Sequence, residues 1–368
     1  MMSKGRIVTV AVAALLGTLP VASALAQQSG VRPPASQGPA AQAAMPPALQ
    51  AAIRSGNAAA VTQVINTLSG GNPQQAAQLA ASAIAAAESI LQTNPQAAVQ
   101  IATAAVQVVR ESPVAQSSPQ QLESVVTGAA RIFVQPAAQR VAPEATAQLA
   151  AAAVQAVAGS NNPTLTASVA NQAVSTAEKL LPVAPAAAVQ IASLTVETVK
   201  QQPITQSAPQ QSLQAVTTAA RIIVNPEVQR IAPREVASIA VGAVQVATNP
   251  TVYQAAPQAA LTVMSNSYQA ASSQVVVTAA PTVTAAVTQQ LVQASQNTAL
   301  NISNPTNSAQ VTQIITRDTT VQQNTNTTNN QAAATNNTPQ PTTTTNNNNR
   351  NDNQPVIPPF TSTQASPT

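Results

Sequence analysis

The 368-residue chain contains no cysteine, no histidine and no tryptophan. Without cysteine no disulfide can staple the fold, and no thiol is present to carry the lipid of an anchored lipoprotein. Without cysteine and histidine the usual zinc sites, the Cys–His nucleophile pair and the Ser–His relay all lack their parts. Aromatic side chains are limited to Phe133, Tyr253, Tyr268 and Phe360, so the stacking platforms on which single-stranded nucleic acids bind are missing. Charge is scarce as well, with 14 Lys and Arg against 10 Asp and Glu. The basic isoelectric point therefore reflects few titratable groups, and the clustered cations that release counterions from a nucleic acid are absent. Ten glycines form no phosphate-cradling loop. Lys179 and Lys200, the lysines beyond Lys4, stand in no Ser-x-x-Lys arrangement. These absences predict a protein that is not an enzyme, takes no cofactor or metal and does not bind nucleic acid.

The chain opens with Lys4 and Arg6, then an apolar stretch from Ile7 to about Val21, then Ala24-Leu25-Ala26 before Gln27. A basic start, a short apolar core and a small-x-small exit predict a secretory signal over 1–26, cleaved between Ala26 and Gln27. Without Lys4 and Arg6 the balance is 12 basic to 10 acidic side chains, a net charge of +2. No later segment offers about 18 uninterrupted apolar residues, and the aromatic girdles of an outer-membrane barrel are missing, so no transmembrane insertion is expected. The chain reads as an exported bacterial protein of the periplasm or exterior.

What the sequence does have is a copy of itself. Ala129-Ala130-Arg131-Ile132, Val134, Pro136, Gln139-Arg140 and Ala142-Pro143 recur 90 positions on, as Ala219-Ala220-Arg221-Ile222, Val224, Pro226, Gln229-Arg230 and Ala232-Pro233. About half the positions from Pro95 to Ala158 are identical in the second copy, which marks one module stacked on itself.

Prolines behind a small or polar residue punctuate both copies: Asn72-Pro73, Asn94-Pro95, Ser118-Pro119 and Ala142-Pro143, then Asn162-Pro163, Ala184-Pro185, Ala208-Pro209 and Ala232-Pro233. Proline suits the first helical position, where its missing N–H has no intrahelical partner to lose, and Asn or Ser before it can cap the helix. The spacing predicts four helices per copy. Apolar residues agree: Leu122, Val125, Val126, Ala129, Ile132 and Phe133 form one helical stripe, and Leu165, Val169, Ala173, Ala177, Leu180 and Leu181 another. The predicted fold is all-α, with Ala-rich helical repeats stacked as antiparallel pairs in an α-solenoid-like array.

The expected order is a signal over 1–26, a flexible linker over 27–45, a leading helical hairpin over 46–71, repeat 1 over 72–161, repeat 2 over 162–248, a degenerate partial repeat over 249–298 and a disordered Asn/Thr-rich tail over 299–368. Within the last, Val311, Ile314 and Ile315 fit one short element. Pro257 and Pro281 are expected to open the last helices, and Val275-Val276-Val277-Thr278 reads as helix or extended chain. In the hairpin, Ala51-Ala52-Ile53-Arg54-Ser55-Gly56-Asn57 with Val61 and Val64-Ile65 resembles the second helix and turn of an ankyrin repeat. The resemblance covers one helix, and the Thr-Pro-Leu-His start of that repeat is absent.

Arg131, Arg140, Arg221 and Arg230 keep register between copies and are the candidate surface contacts, able to meet an anionic polymer. The same register follows from duplication alone, with acids and bases pairing between neighbouring helices. Gln100, Gln107, Gln190 and Gln245 offer an uncharged hydrogen-bonding face, or simply a solvated one. Taken together the sequence predicts a non-enzymatic structural or interaction scaffold of the bacterial envelope or exterior. Its partner would be a protein, an envelope polymer or a second copy of itself. The alternative is a module that binds a peptide, a glycan or another envelope component in a groove of the stack. Ice binding by spaced threonines is disfavoured, because Thr103, Thr127 and Thr217 follow no fixed short period.

Overall fold

A computed structural model describes residues 45–111 and 113–316. The expected signal with its Ala26/Gln27 cleavage, the expected linker up to residue 44 and the expected tail beyond 316 lie outside the described residues. Every regular element described is helical. The leading hairpin is α1 (Pro47–Arg54) and α2 (Ala58–Ser69). Gly56 turns the chain between them at φ 66°, a left-handed conformation that favours glycine, and Asn57 then accepts from the N–H of Ala60 at 3.2 Å.

The first copy holds α3 (Pro73–Ile90), α4 (Pro95–Glu111), α5 (Val114–Ser117), α6 (Pro119–Phe133), α7 (Pro136–Val141) and α8 (Pro143–Ala158). The second holds α9 (Pro163–Leu180), α10 (Pro185–Val199), α11 (Gln202–Ser207), α12 (Pro209–Val224), α13 (Pro226–Ile231) and α14 (Pro233–Ala247). Each copy thus has the four expected long helices and, between some of them, two short ones. After α14 come α15 (Pro250–Ala255), α16 (Pro257–Ser272), α17 (Gln274–Ala279), α18 (Val283–Gln296) and α19 (Thr298–Ser303), then α20 over 307–316. Residues 275–278 are therefore helical, and α18 begins two residues after Pro281.

The short helices expose a finer period. From α11 onward they begin at residues 202, 226, 250, 274 and 298, 24 apart, and each buries the same position: Ile204, Val228, Val252, Val276 and Leu300. A single residue joins α7, α11, α13 and α15 to the long helix after each. Ala142, Ala208 and Ala232 stand at φ −137°, −138° and −137°, outside the helical region that the next proline's ring disfavours for its predecessor. The break costs no hydrogen bond at the joint. Ala208 donates its N–H to the Ile204 carbonyl at 2.8 Å and accepts from Ser212 at 2.9 Å, and Ala142 bridges Ala138 and Thr146 likewise. Asn72, Asn94 and Asn162 cap the following helices as expected. Ser118 does not: its hydroxyl is buried without a partner among the described residues.

The long helices pack in two rows. α3, α6, α9, α12 and α16 form one, α4, α8, α10, α14 and α18 the other, and each helix rests on its neighbour in the same row and on the next in sequence. The short helices cross between rows. A continuous core of Ala, Val, Ile and Leu runs between them, with Ile132, Phe133 and Ile222 fully buried. Isolated helices of four turns are marginal in water, so this shared apolar face is what holds them.

The expected tail boundary at residue 299 is corrected: α19 and α20 belong to the fold, with Leu300, Asn307 and Val311 fully buried. The polar composition that suggested disorder is internally satisfied. The Tyr253 hydroxyl donates to Asn307 Oδ1 at 2.8 Å and accepts from Asn304 Nδ2 at 3.1 Å. Asn307 Nδ2 donates to the Ala294 carbonyl at 3.0 Å and to Asn301 Oδ1 at 2.9 Å.

Candidate functional site

The four predicted arginines separate into two pairs with different surroundings. Arg131, in the last turn of α6, meets Glu88 of α3 at 2.8 Å. Arg221, in the last turn of α12, holds Glu178 of α9 by two bonds of 2.8 and 2.9 Å and also donates to the Thr218 hydroxyl at 3.3 Å. The Glu178 hydrogen bond raises the Arg221 guanidinium above its ordinary value, against a smaller opposing effect of burial. Each pair ties one helix of the first row to the next, and both copies make it across the same 43-residue separation. Two of the candidate surface cations are therefore neutralised by inter-helix partners.

Arg140 and Arg230 stand on the short helices α7 and α13. Arg230 reaches Glu227 at 3.4 Å on its own helix. Where the second copy has Glu227 the first has Ala137, and Arg140 is exposed with no ion pair among the described residues. The glutamines before these arginines have a structural task. Gln139 and Gln229 donate to the carbonyls of Phe133 and Ile223, both at 3.0 Å, and so occupy acceptors left open where α6 and α12 end. The repeated Gln-Arg motif is thus a helix cap followed by a solvated cation.

A more extended arrangement lies on the second row. Gln107 of α4, Gln155 of α8, Glu197 of α10, Gln245 of α14 and Gln293 of α18 are all exposed, at separations of 48, 42, 48 and 48 residues on consecutive helices of that row. Two turns earlier on the same faces stand Gln100, Gln148, Gln190 and Ser238. The result is a ladder mostly of side-chain amides, each able to donate and accept, with the Glu197 carboxylate and the Ser238 hydroxyl in two of the positions. Its rungs are not isolated, since Arg110 of α4 donates to Gln155 of α8 at 2.6 Å and Lys200 neutralises Glu197 at 2.5 Å. Gln100, Gln107, Gln190 and Gln245 are legible in sequence as a candidate face, but Gln148, Gln155 and Gln293 emerge only once the helices are paired by row.

Among the described residues, grooves open on both rows of the stack. One, of about 410 Å³, lies between α8 and α10 with Gln148 and Gln190 on its walls, Glu144 at one end, and Ala151, Val183, Pro185 and Ala187 as its apolar lining. Val183 is 64% exposed there. Another, of about 550 Å³, lies on the first row and is lined by Asn171, Ser175, Gln210, Gln214, Thr217 and Arg221 over a floor that includes Ala256 and Ala259. Asn171 donates to Gln214 at 3.0 Å across it. The first copy has Ala81, Ala85 and Ser124 in place of Asn171, Ser175 and Gln214, so its lining is less polar.

Among the described residues no group of three or more His, Cys, Asp or Glu side chains is placed to hold a metal ion. Nor is any described helix long and apolar enough to cross a membrane. Compared with protein families, characterised proteins and solved structures, the chain matches none.

Proposed function

We propose that this chain is an exported, non-enzymatic interaction scaffold of the bacterial cell envelope or exterior, and that its working surface is the amide ladder of the second row. The observation that carries the reading is the register of Gln107, Gln155, Glu197, Gln245 and Gln293 on five consecutive helices of one row. Stacked repeats make extended surfaces on which each unit repeats the same contact, so weak individual hydrogen bonds add along a partner. A partner matched to this face is uncharged and rich in hydrogen-bonding groups: an extended peptide, an envelope glycan or another copy of the chain. The repeated ion pairs argue against the arginines as an anion-binding row, because Arg131 and Arg221 already have carboxylate partners.

A second reading, a module that retains one particular ligand, is favoured by the groove between α8 and α10. Light scattering of the purified chain over a range of concentrations separates the two: growth into polymers supports a self-assembling scaffold, and a stable monomer that retains one envelope component after cross-linking supports the binder. Replacing Gln148 and Gln190 by lysine abolishes either behaviour while Ser265→Lys on the first row leaves it intact. Assembly and capture both indifferent to charge on the ladder would dismiss this surface.

A further inference from the structure

The groove between α8 and α10 has two chemistries side by side, and the chain itself carries a segment with both. Its lining offers apolar surface at Val183, Ala151, Pro185 and Ala187, and its walls offer the amides of Gln148 and Gln190. Beyond Thr316 the sequence is dominated by Asn and Thr, but it contains Pro355-Val356-Ile357-Pro358-Pro359-Phe360, which brings together the bulky apolar side chains of that stretch apart from Val321. Proline spaced in this way presets an extended polyproline helix, which repeats every three residues, about 9.3 Å, and leaves its backbone carbonyls free to accept. Neighbouring helices of a row lie about 8–10 Å apart, so one amide rung per helix keeps step with one turn of such a segment. Residues 353–368 carry no charged side chain, which suits walls of glutamine.

We propose that residues 354–360 dock intramolecularly in the groove between α8 and α10, with the apolar side chains against Val183 and the backbone carbonyls accepting from Gln148 and Gln190. The inference rests on the reading of this ladder as the interaction face, and makes the chain's own segment its resident occupant, which an external partner must displace. The connection is long enough. Residues 317–354 can span up to about 3.3 Å each, well beyond the roughly 30 Å covered by three helix spacings. Docking within one molecule is further favoured by the high effective concentration that a tether confers.

The absence of cysteine makes the test direct in the full chain. A single Ala187→Cys, labelled with a benzophenone maleimide and irradiated, is expected to cross-link to the peptide containing 354–360 within one chain, at a yield independent of protein concentration. Label at Ser265→Cys on the first row is expected not to. Adding Gln148→Ala and Gln190→Ala lowers the yield by about tenfold or more, as expected for the loss of two hydrogen bonds. Ile357→Asp with Phe360→Asp, changes outside the helical stack, abolishes it. Cross-links absent, equal from both positions, or formed only between chains overturn the inference. Deleting 354–368 is expected to raise capture of an envelope partner. If the cross-link is absent but capture still depends on Gln148 and Gln190, the occupant is wrong and the interaction face stands.

Discussion

Ile84 of α3 fills the space that a side chain at residue 128 of α6 would take: a Cβ built on Gly128 would overlap Ile84 Cγ2 and stand 3.3 Å from Glu88 Oε1. The glycine lets α6 approach α3 where Glu88 and Arg131 meet. Ninety residues on, Val174 replaces Ile84 and Thr218 replaces Gly128, and the Thr218 hydroxyl becomes a further acceptor for the paired arginine. Room taken from one helix is given to its neighbour.

Gly128→Ala is therefore expected to destabilise by about 1–3 kcal/mol, although alanine favours helix over glycine by about 1 kcal/mol, because the β-branched Ile84 has little freedom to move aside. In an Ile84→Ala background the same change becomes stabilising. Urea denaturation of the four chains of this cycle measures it, and a Gly128→Ala cost that is equal in both backgrounds would show that the two residues do not share the space.

The ion pairs should contribute little. The Arg221 and Glu178 side chains are 51% and 38% exposed, so the pair is worth about 0–1 kcal/mol after solvent screening. Glu178→Gln lowers stability within that range at low salt, Glu88→Gln by no more, and 1 M salt removes the difference. A loss of several kcal/mol that survives salt would mean that the pair is a packing element.

Much of this architecture can be read from the chain. The proline ruler marks the long helices because proline disfavours the helical region for the residue before it, a local steric preference that holds at Ala142, Ala208 and Ala232, although Leu181 before Pro182 stays helical. The ruler even continues further than composition suggests: Pro209, Pro233, Pro257, Pro281 and Pro305 are 24 apart, and Asn304-Pro305 announces α20 inside a stretch that reads as tail. The boundary at 299 fails because polarity measures the cost of burial only when partners are unknown. Asn301, Asn304 and Asn307 are satisfied by one another and by Tyr253, 51 to 54 residues away in sequence. The short helices escape a search for amphipathic stripes because six residues present only one or two buried positions. The ladder escapes because its period alternates with the row, and only packing shows which helices are neighbours.

Tyr253 gives the fold a defined alkaline weakness. Burial raises its hydroxyl above the ordinary value of 10.0, an effect that outweighs the opposing hydrogen bond from Asn304. The folded state therefore keeps this proton where the unfolded chain releases it. The associated stability is complete below about pH 10 and is lost as pH rises from there through the folded value. Denaturation midpoints measured from pH 8 to 12 should fall at the upper end, and Tyr253→Phe, less stable at pH 8 by about 1–3 kcal/mol because Asn307 Oδ1 loses its donor, should lack that part of the decline. An identical slope in both chains would remove Tyr253 as its source.

Ile132 and Ile222 occupy equivalent, fully buried positions of α6 and α12. Replacing either by Asp places an unpaired carboxylate in the core, and each change is expected to cost more than about 4 kcal/mol or to prevent folding. Far-ultraviolet circular dichroism on heating reads the result, with the wild-type chain strongly helical. A melt unchanged by either substitution would be incompatible with the two-row packing.

Where the stack ends can be decided by truncation. Leu300 and Val311 are fully buried, and the Tyr253 hydroxyl depends on Asn304 and Asn307. A chain ending after Thr316 keeps all of these and should melt within about 1 kcal/mol of the full chain, since a docked peptide held by few contacts adds little. A chain ending after Gln296 loses two buried aliphatic side chains worth about 1.5–3 kcal/mol each and leaves the tyrosine hydroxyl without partners. It also uncovers the surfaces of α15 and α18 against which α19 packs, and a repeat stack without its polar terminal cap associates. The expected outcome is a lower melting temperature together with concentration-dependent light scattering, seen for the second truncation alone. Equal behaviour of the two chains would place the end of the fold before α19 and return residues 298–316 to the tail.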